Sequence, residues 1–230
     1  MAALYDPNMN FTGFPPTGMA FLTTLGTRNR EWFQANKKQY DAEVAQPAKD
    51  FVDAMTARLQ DAVSPLIVGQ PKTNGSIAPI NNDLRFNPDA SPYKDHLLLK
   101  WWQGDDKKRA PTLHIRLSES TVGFASGMVI SDVDAWRRAV GEDSGAALQD
   151  AIDTLAASYD LDLAGQALKK VPKPWPEDHP RGDLLRHKMF QVRAPIPMPA
   201  SVNTAAFADW CTARLAEYAD VHHWLVEHLT

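Results

Sequence analysis

Thr112-Leu113-His114-Ile115-Arg116-Leu117-Ser118 is followed, after Glu119-Ser120, by a segment carrying Val122 and Phe124 that reaches Gly127-Met128. Leu113, Ile115 and Leu117 alternate with His114, Arg116 and Ser118, the two-residue period of a strand with one buried face. The polar pair Glu119-Ser120 then turns the chain back into a second strand. This stretch predicts an antiparallel hairpin at the centre of a sheet. Leu113, Ile115 and Leu117 would lie under helices, and His114 and Arg116 would share the opposite face.

Upstream of the hairpin the period is helical. Phe14-Pro15-Pro16 opens a helix that carries Met19, Phe21, Leu22 and Leu25 as far as Gly26, since proline suits the first turn. Thr27 or Asn29 is placed to cap the next helix, with Trp32, Phe33 and Tyr40 inward. Val44, Ala48, Phe51, Val52, Met55, Leu59 and Val63 extend the series at three- and four-residue spacing. Pro47 lies inside it, where an interior proline costs about 3 kcal/mol, so a kink or a fresh start is expected. Ser64-Pro65 and Gly69 end this helical third. Ser76 to Ile80 reads as a short strand and Gln103 to Arg109 as an exposed loop.

Downstream, Ser131 with Asp134 resembles a capping box ahead of Val133, Trp136 and Val140. A further helix follows through Leu148, Ile152, Leu155 and Tyr159. Residues 161–170 are ambiguous and allow two short strands. Pro172, Pro174, Pro176 and Pro180 make a stiff surface crossing. Lys188 to Ala194 alternates as a strand ended by Pro195, Pro197 and Pro199. One last helix, capped by Asn203 or Thr204, takes Phe207, Trp210, Cys211, Leu215, Tyr218, Val221, Leu225 and Leu229. Helices, then a hairpin, then mixed elements define an α+β fold. The expectation is a small antiparallel sheet packed by helices, with long N-terminal and C-terminal helices, in a single domain over residues 1–230.

Apolar residues make up 44% of the 230 and charged ones 23%, values of a globular chain. A net charge of −4 argues against general nucleic-acid binding. The one cysteine, Cys211, permits no intrachain disulfide and reads as a small buried hydrophobe. No apolar run has the length of a membrane span and the N-terminus lacks a signal-peptide pattern, so a cytoplasmic location is expected.

The chemistry is concentrated between Asn82 and Trp102, where Pro88 and Pro92 forbid a continuous helix. Asp83 can orient the planar fork of Arg85 toward a carboxylate or phosphate, or pin the loop through an internal salt bridge. Either way the two are expected in contact, with Arg85 at least half buried. Tyr93, Lys94 and His96 supply a phenol, an ammonium and a group that titrates near neutrality. The bland alternative is a Pro-Tyr turn packed on the core with Lys94 and His96 in solvent. Together with Arg116, Arg138 and Lys188, these residues are the candidates for a cleft that binds an anionic small molecule or nucleotide. No catalytic residue is assigned. The alternative function is a protein-interaction module using the exposed loop and Trp101/Trp102; the two tryptophans cannot both point into the core from one extended segment, and one exposed tryptophan would favour this reading. His222, His223 and His228 lack the i, i+4 spacing of a helical zinc site, and no Cys-x-x-Cys occurs, so no metal is expected. No cofactor fingerprint or nucleophile elbow is present.

Several motifs carry a resemblance. They are Asn29-Arg30-Glu31-Trp32-Phe33 with Asn36-Lys37 and Tyr40, then Asn82-Asp83-Leu84-Arg85-Phe86 closed by Asp89-Ala90-Ser91-Pro92-Tyr93-Lys94 and His96. Later ones are Gly123 with Gly127-Met128, Arg138, Leu168 to Pro172, Asp178-His179-Pro180 and Leu184 to Lys188. End to end, the chain resembles the bacterial family of domain of unknown function 2461. The resemblance implies one α+β domain of this length and brings no established activity. Where the family pattern has an arginine before the aspartate this chain has Asn82, and where it has a lysine in the loop this chain has Ala90. If those cations touch a ligand, this chain binds it differently or has lost the activity.

Overall fold

The protein is described by a computed structural model covering residues 10–85, 87 and 89–230. Proline at its start pre-sets the first turn of α1 (Pro16–Leu25), and the Asn29 side chain accepts from Trp32 N to cap α2 (Arg30–Tyr40). A π-helical turn at Asp41–Ala45 then feeds α3 (Gln46–Ala62), with Pro47 in its first turn. The proline lacks the N–H that would continue the α pattern, so the helix widens and restarts. β1 (Ile67–Val68), β2 (Leu97–Gln103), β3 (Thr112–Leu117) and β4 (Thr121–Val129) follow. Then come α4 (Val133–Gly141), α5 (Ser144–Ala156), β5 (Asp162–Ala164), α6 (Gly182–Leu185) and β6 (Met189–Pro197). A 3-10 turn at Ala200–Asn203 precedes α7 (Ala206–Ala216) and α8 (Ala219–Leu229). The fold is α+β, with an antiparallel six-stranded sheet in the order β1-β2-β3-β4-β6-β5.

The expected hairpin is β3–β4. Ser118 N donates to Thr121 O at 3.0 Å across its turn, and Leu113, Ile115 and Leu117 are fully buried while Arg116 is exposed. Four expectations need correction. Asp132, not Ser131, caps α4, accepting from Asp134 N and Ala135 N at 3.0 and 2.9 Å. Ser76 to Ile80 forms only isolated bridges at Ile77. β6 runs on through Pro195 and Pro197. Lys188 O and Met198 N bond to Ile130 N and Ser120 O, so even-numbered residues face β4 and the odd-numbered prolines face the side where β5 pairs only residues 191–193. The long C-terminal helix is two helices, broken at Glu217-Tyr218. Glu217 there is drawn onto Tyr159 and Arg214, and Tyr218 is buried.

The chain divides into two compact units. The first comprises the chain up to Trp101, Ile115–Gly123 and Ile196–Ala213. Its core is a run of aromatic rings, Phe11, Phe14, Phe51, Phe207 and Trp101, with neighbouring centroids 4.9–6.4 Å apart. Thr56 Oγ1 accepts from Trp101 Nε1 at 3.0 Å and donates to Val52 O. The second comprises Trp102–His114, Phe124–Pro195 and Arg214–Thr230. There Trp136 packs on Phe190 and Trp224, and both indoles donate to backbone carbonyls, of Leu184 and Ser144. Arg181 closes the end of α4 by donating to the carbonyls of Val140, Gly141 and Glu142.

Candidate functional site

The loop after Asn81 is tied at its neck by backbone. Asn81 bridges Tyr93, Asn82 N donates to Pro92 O, and Lys94 N donates to Ile80 O. The Asn82 amide doubles the tie, giving its two protons to Ser91 O at 2.9 Å and Tyr93 O at 3.0 Å. Asn82 is thus a staple for the loop. Tyr93 is buried with its ring 4.7 Å from Phe33, which is the packed-turn reading of that residue. Lys94 is also committed inward, donating to Pro79 O and Asn81 O, both at 2.6 Å. Burial pushes its pKa down.

Asp83 and Arg85 are in direct contact as expected, Nη2 to Oδ2 at 2.6 Å and Nε to Oδ1 at 2.9 Å. The Arg85 side chain is 80% exposed, so the expected half-burial is wrong. Two residues apart, the pair forms while the Arg85 side chain stays largely in solvent. The hydrogen bond from Arg85 lowers the Asp83 pKa and in turn raises that of Arg85. Phe86, the next residue in the motif, lies outside the described residues.

Three charged or titratable groups of the first unit do converge, where the segment enters β2. His96 Nδ1 lies 2.7 Å from Asp95 Oδ1 and 3.0 Å from Arg116 Nη2, and Arg116 Nη2 stands 3.7 Å from Asp95 Oδ1. Asp95 is seated by the end of α1, since a Cβ on Gly26 would stand 2.7 Å from Asp95 Cβ. Thr23 of α1 holds the β3–β4 turn through Glu119 at 3.1 Å. Arg116 projects from the polar face of β3, opposite Gly123, where even a Cβ would only reach 3.5 Å from Arg116 Cβ. The guanidinium therefore has an uncrowded neighbour. Its side chain is 44% exposed, while His96 is 20% exposed.

Burial is the largest influence on His96 and depresses its pKa. The Asp95 hydrogen bond opposes this, and the charges of Arg116 and Lys94 add to the depression. Asp95 is held low, first by the bond from His96. The cluster is thus a carboxylate–imidazole pair beside a guanidinium, able to take an anion on Arg116 and to move a proton at His96.

Of the sequence candidates, His96 and Arg116 meet in this cluster, with Lys94 alongside but spent on carbonyls. Asp83 and Arg85 form their own pair. Arg138 and Lys188 belong to the second unit and are both exposed. Asp95 was not among the candidates. Its signal was present, an acid directly preceding the histidine at a strand entry. Trp101 and Trp102 are 0% and 4% exposed, so neither is the exposed tryptophan that would favour the interaction reading. Trp101 enters the first unit's core, while Lys107 of the 103–111 loop lies over the Trp102 ring in the second. Both sheet faces are covered at that point, which the alternation argument did not foresee. Among the described residues no group of three or more His, Cys, Asp or Glu is placed to hold a metal.

Fold and site together define an α+β protein with a compact acid–imidazole–guanidinium cluster at the entry to its second strand. The chain belongs to the DUF2461 family, described as a conserved hypothetical protein, whose sequence model matches residues 17–224. Comparison with curated proteins gave no match. Among the described residues no helix is long and apolar enough to cross a membrane.

Proposed function

We propose that this chain binds an anionic small molecule through Arg116 and His96, with Asp95 orienting the imidazole. The supporting observation is the Arg116 guanidinium. It is 44% exposed and stands 3.7 Å from Asp95, a distance that leaves most of its fork available to a carboxylate or phosphoryl group. A nucleotide would meet the site through its phosphates. The staple at Asn82 and the clamp at Lys94 fix the segment that carries His96, so the cluster is organised before a ligand arrives. A reducing cytosolic setting suits the chain, whose single thiol is buried and pushed well above its usual pKa. The partner-binding alternative has no aromatic anchor in β2, because both tryptophans are buried.

The test is thermal unfolding with phosphate, sulfate, nucleotides and small carboxylates. A ligand at 100 times its Kd adds about 2.7 kcal/mol, a rise of several degrees for a chain of this size. Arg116→Ala should abolish the rise and Arg85→Ala should leave it intact. Absence of any anion-dependent shift across the panel overturns the proposal.

A further inference from the structure

The Nδ1 atom of His96 has two neighbours with opposite demands. Asp95 Oδ1, at 2.7 Å, can only accept, whereas Arg116 Nη2, at 3.0 Å, can only donate. A neutral imidazole satisfies one of them. If Nδ1 carries the proton it donates to Asp95 and meets the Arg116 N–H head on. If Nδ1 is bare it accepts from Arg116 and sets its lone pair against a carboxylate oxygen. The Nε2 atom makes no hydrogen bond to any described residue, so it is open to solvent protons.

A ligand changes this balance. Once an anion engages the guanidinium, Arg116 no longer competes for Nδ1, and Nδ1–H is left to Asp95 alone. An imidazole hydrogen-bonded to a carboxylate and standing beside a second negative charge favours a proton on Nε2. Among the described residues, the charged groups facing His96 are Asp95 and Lys94 from its own segment and Arg116 from β3; Gly26 brings no charge. Arg116 and Asp95 cancel, and Lys94, though held by two carbonyls, keeps its charge, so the empty site carries one net positive charge. A dianion therefore needs one more positive charge than the empty site offers. Protonation of Nε2 supplies it.

Building on the anion site proposed above, we infer that ligand binding there is coupled to uptake of a proton by His96, and that the fitting ligand is a phosphoryl dianion in preference to a monocarboxylate. The step forms one N–H bond at Nε2 with a proton from solvent and breaks no bond in the ligand.

Calorimetric titration with sulfate near pH 7, in two buffers of different ionisation enthalpy, tests it. Sulfate stays doubly charged over the working range, so any proton taken up goes to the protein. The wild type should take up a measurable fraction of a proton per sulfate bound, and acetate should bind more weakly by about tenfold or more. His96→Gln should bind sulfate more weakly, through Arg116 alone, and with no uptake. If that variant does not fold, nitrogen NMR of the wild type replaces it, with both imidazole nitrogens moving to protonated positions on sulfate addition. Sulfate binding whose heat is independent of buffer, equal uptake in His96→Gln, or unmoved imidazole nitrogens overturns the coupling and leaves the anion site standing. Absence of binding by sulfate and phosphate alike overturns both.

Discussion

The carbonyl oxygen of Glu43 lies 2.1 Å from where a Cβ on Gly18 would stand. Pro47 has no N–H to offer that carbonyl in the α-helical pattern, and the chain passes through its π turn at the same level. Glycine lets the backbone of α1 close on this point. Gly18→Ala must therefore push two backbones apart.

The expected loss for Gly18→Ala is about 3 kcal/mol, at the upper end of overpacking costs, read as a lower denaturant midpoint. Gly123→Ala is the control. Its Cβ would meet the Arg116 Cβ at 3.5 Å and the Arg116 carbonyl oxygen at 3.9 Å, both ordinary contacts, and its stability should be unchanged or slightly raised. Similar losses in both variants would remove the close-approach explanation.

Thr56 carries a second dependence. Its hydroxyl is the acceptor for the fully buried Trp101 indole. Thr56→Val keeps the shape but strands that N–H, a loss of about 1–3 kcal/mol. Trp101→Phe removes the donor and leaves space behind it. The double variant should cost less than the two singles added, because the stranded donor is gone. Strict additivity in urea denaturation would show that the bond contributes nothing.

Arg85→Ala should leave the melting temperature unchanged within error. Its ion pair to Asp83 is solvent-exposed on a loop tip, where such pairs are screened by salt and offset by side-chain entropy. A clear destabilisation would mean that the loop depends on this pair after all.

The sequence made the hairpin legible because one face of β3 is apolar at every second residue, and the tertiary structure did not override that pattern. The Pro47 restart was legible for the same local reason, a missing N–H. What escaped was set by tertiary contact. The apolar series from Phe207 to Leu229 runs unbroken across Glu217-Tyr218, yet the chain breaks there, where Glu217 accepts a hydrogen bond from Tyr159. No periodicity records a partner so far away along the chain. Arg85 looked like the cation of the site because it neighbours an acid. Arg116, on a regular strand twenty residues beyond His96, is the one that reaches the imidazole. The pairing of β2 with β3 brings them together, and only the sheet order exposes it.

His222 offers a test of stability against pH. It is fully buried in the second unit, its Nε2 lies 3.3 Å from Gln103 Oε1, and its Nδ1 has no hydrogen-bond partner among the described residues. Burial, with a smaller contribution from the His223 charge, lowers its pKa to about 4. The folded state thus holds this imidazole neutral, while the unfolded chain protonates it near pH 6.5. Between those values the unfolded state binds more protons, so stability rises with pH. The contribution is complete above about pH 6.5 and is lost progressively as pH falls toward 4. Between pH 7 and pH 5 that amounts to about 2 kcal/mol. His96 and His187 are also depressed by burial and act in the same direction. His222→Gln retains an amide donor for Gln103 and has nothing to titrate. Its unfolding free energy, measured by urea at both pH values, should fall by about 2 kcal/mol less than that of the wild type. Equal slopes in the two proteins would mean that His222 is not the group whose protonation the folded state resists.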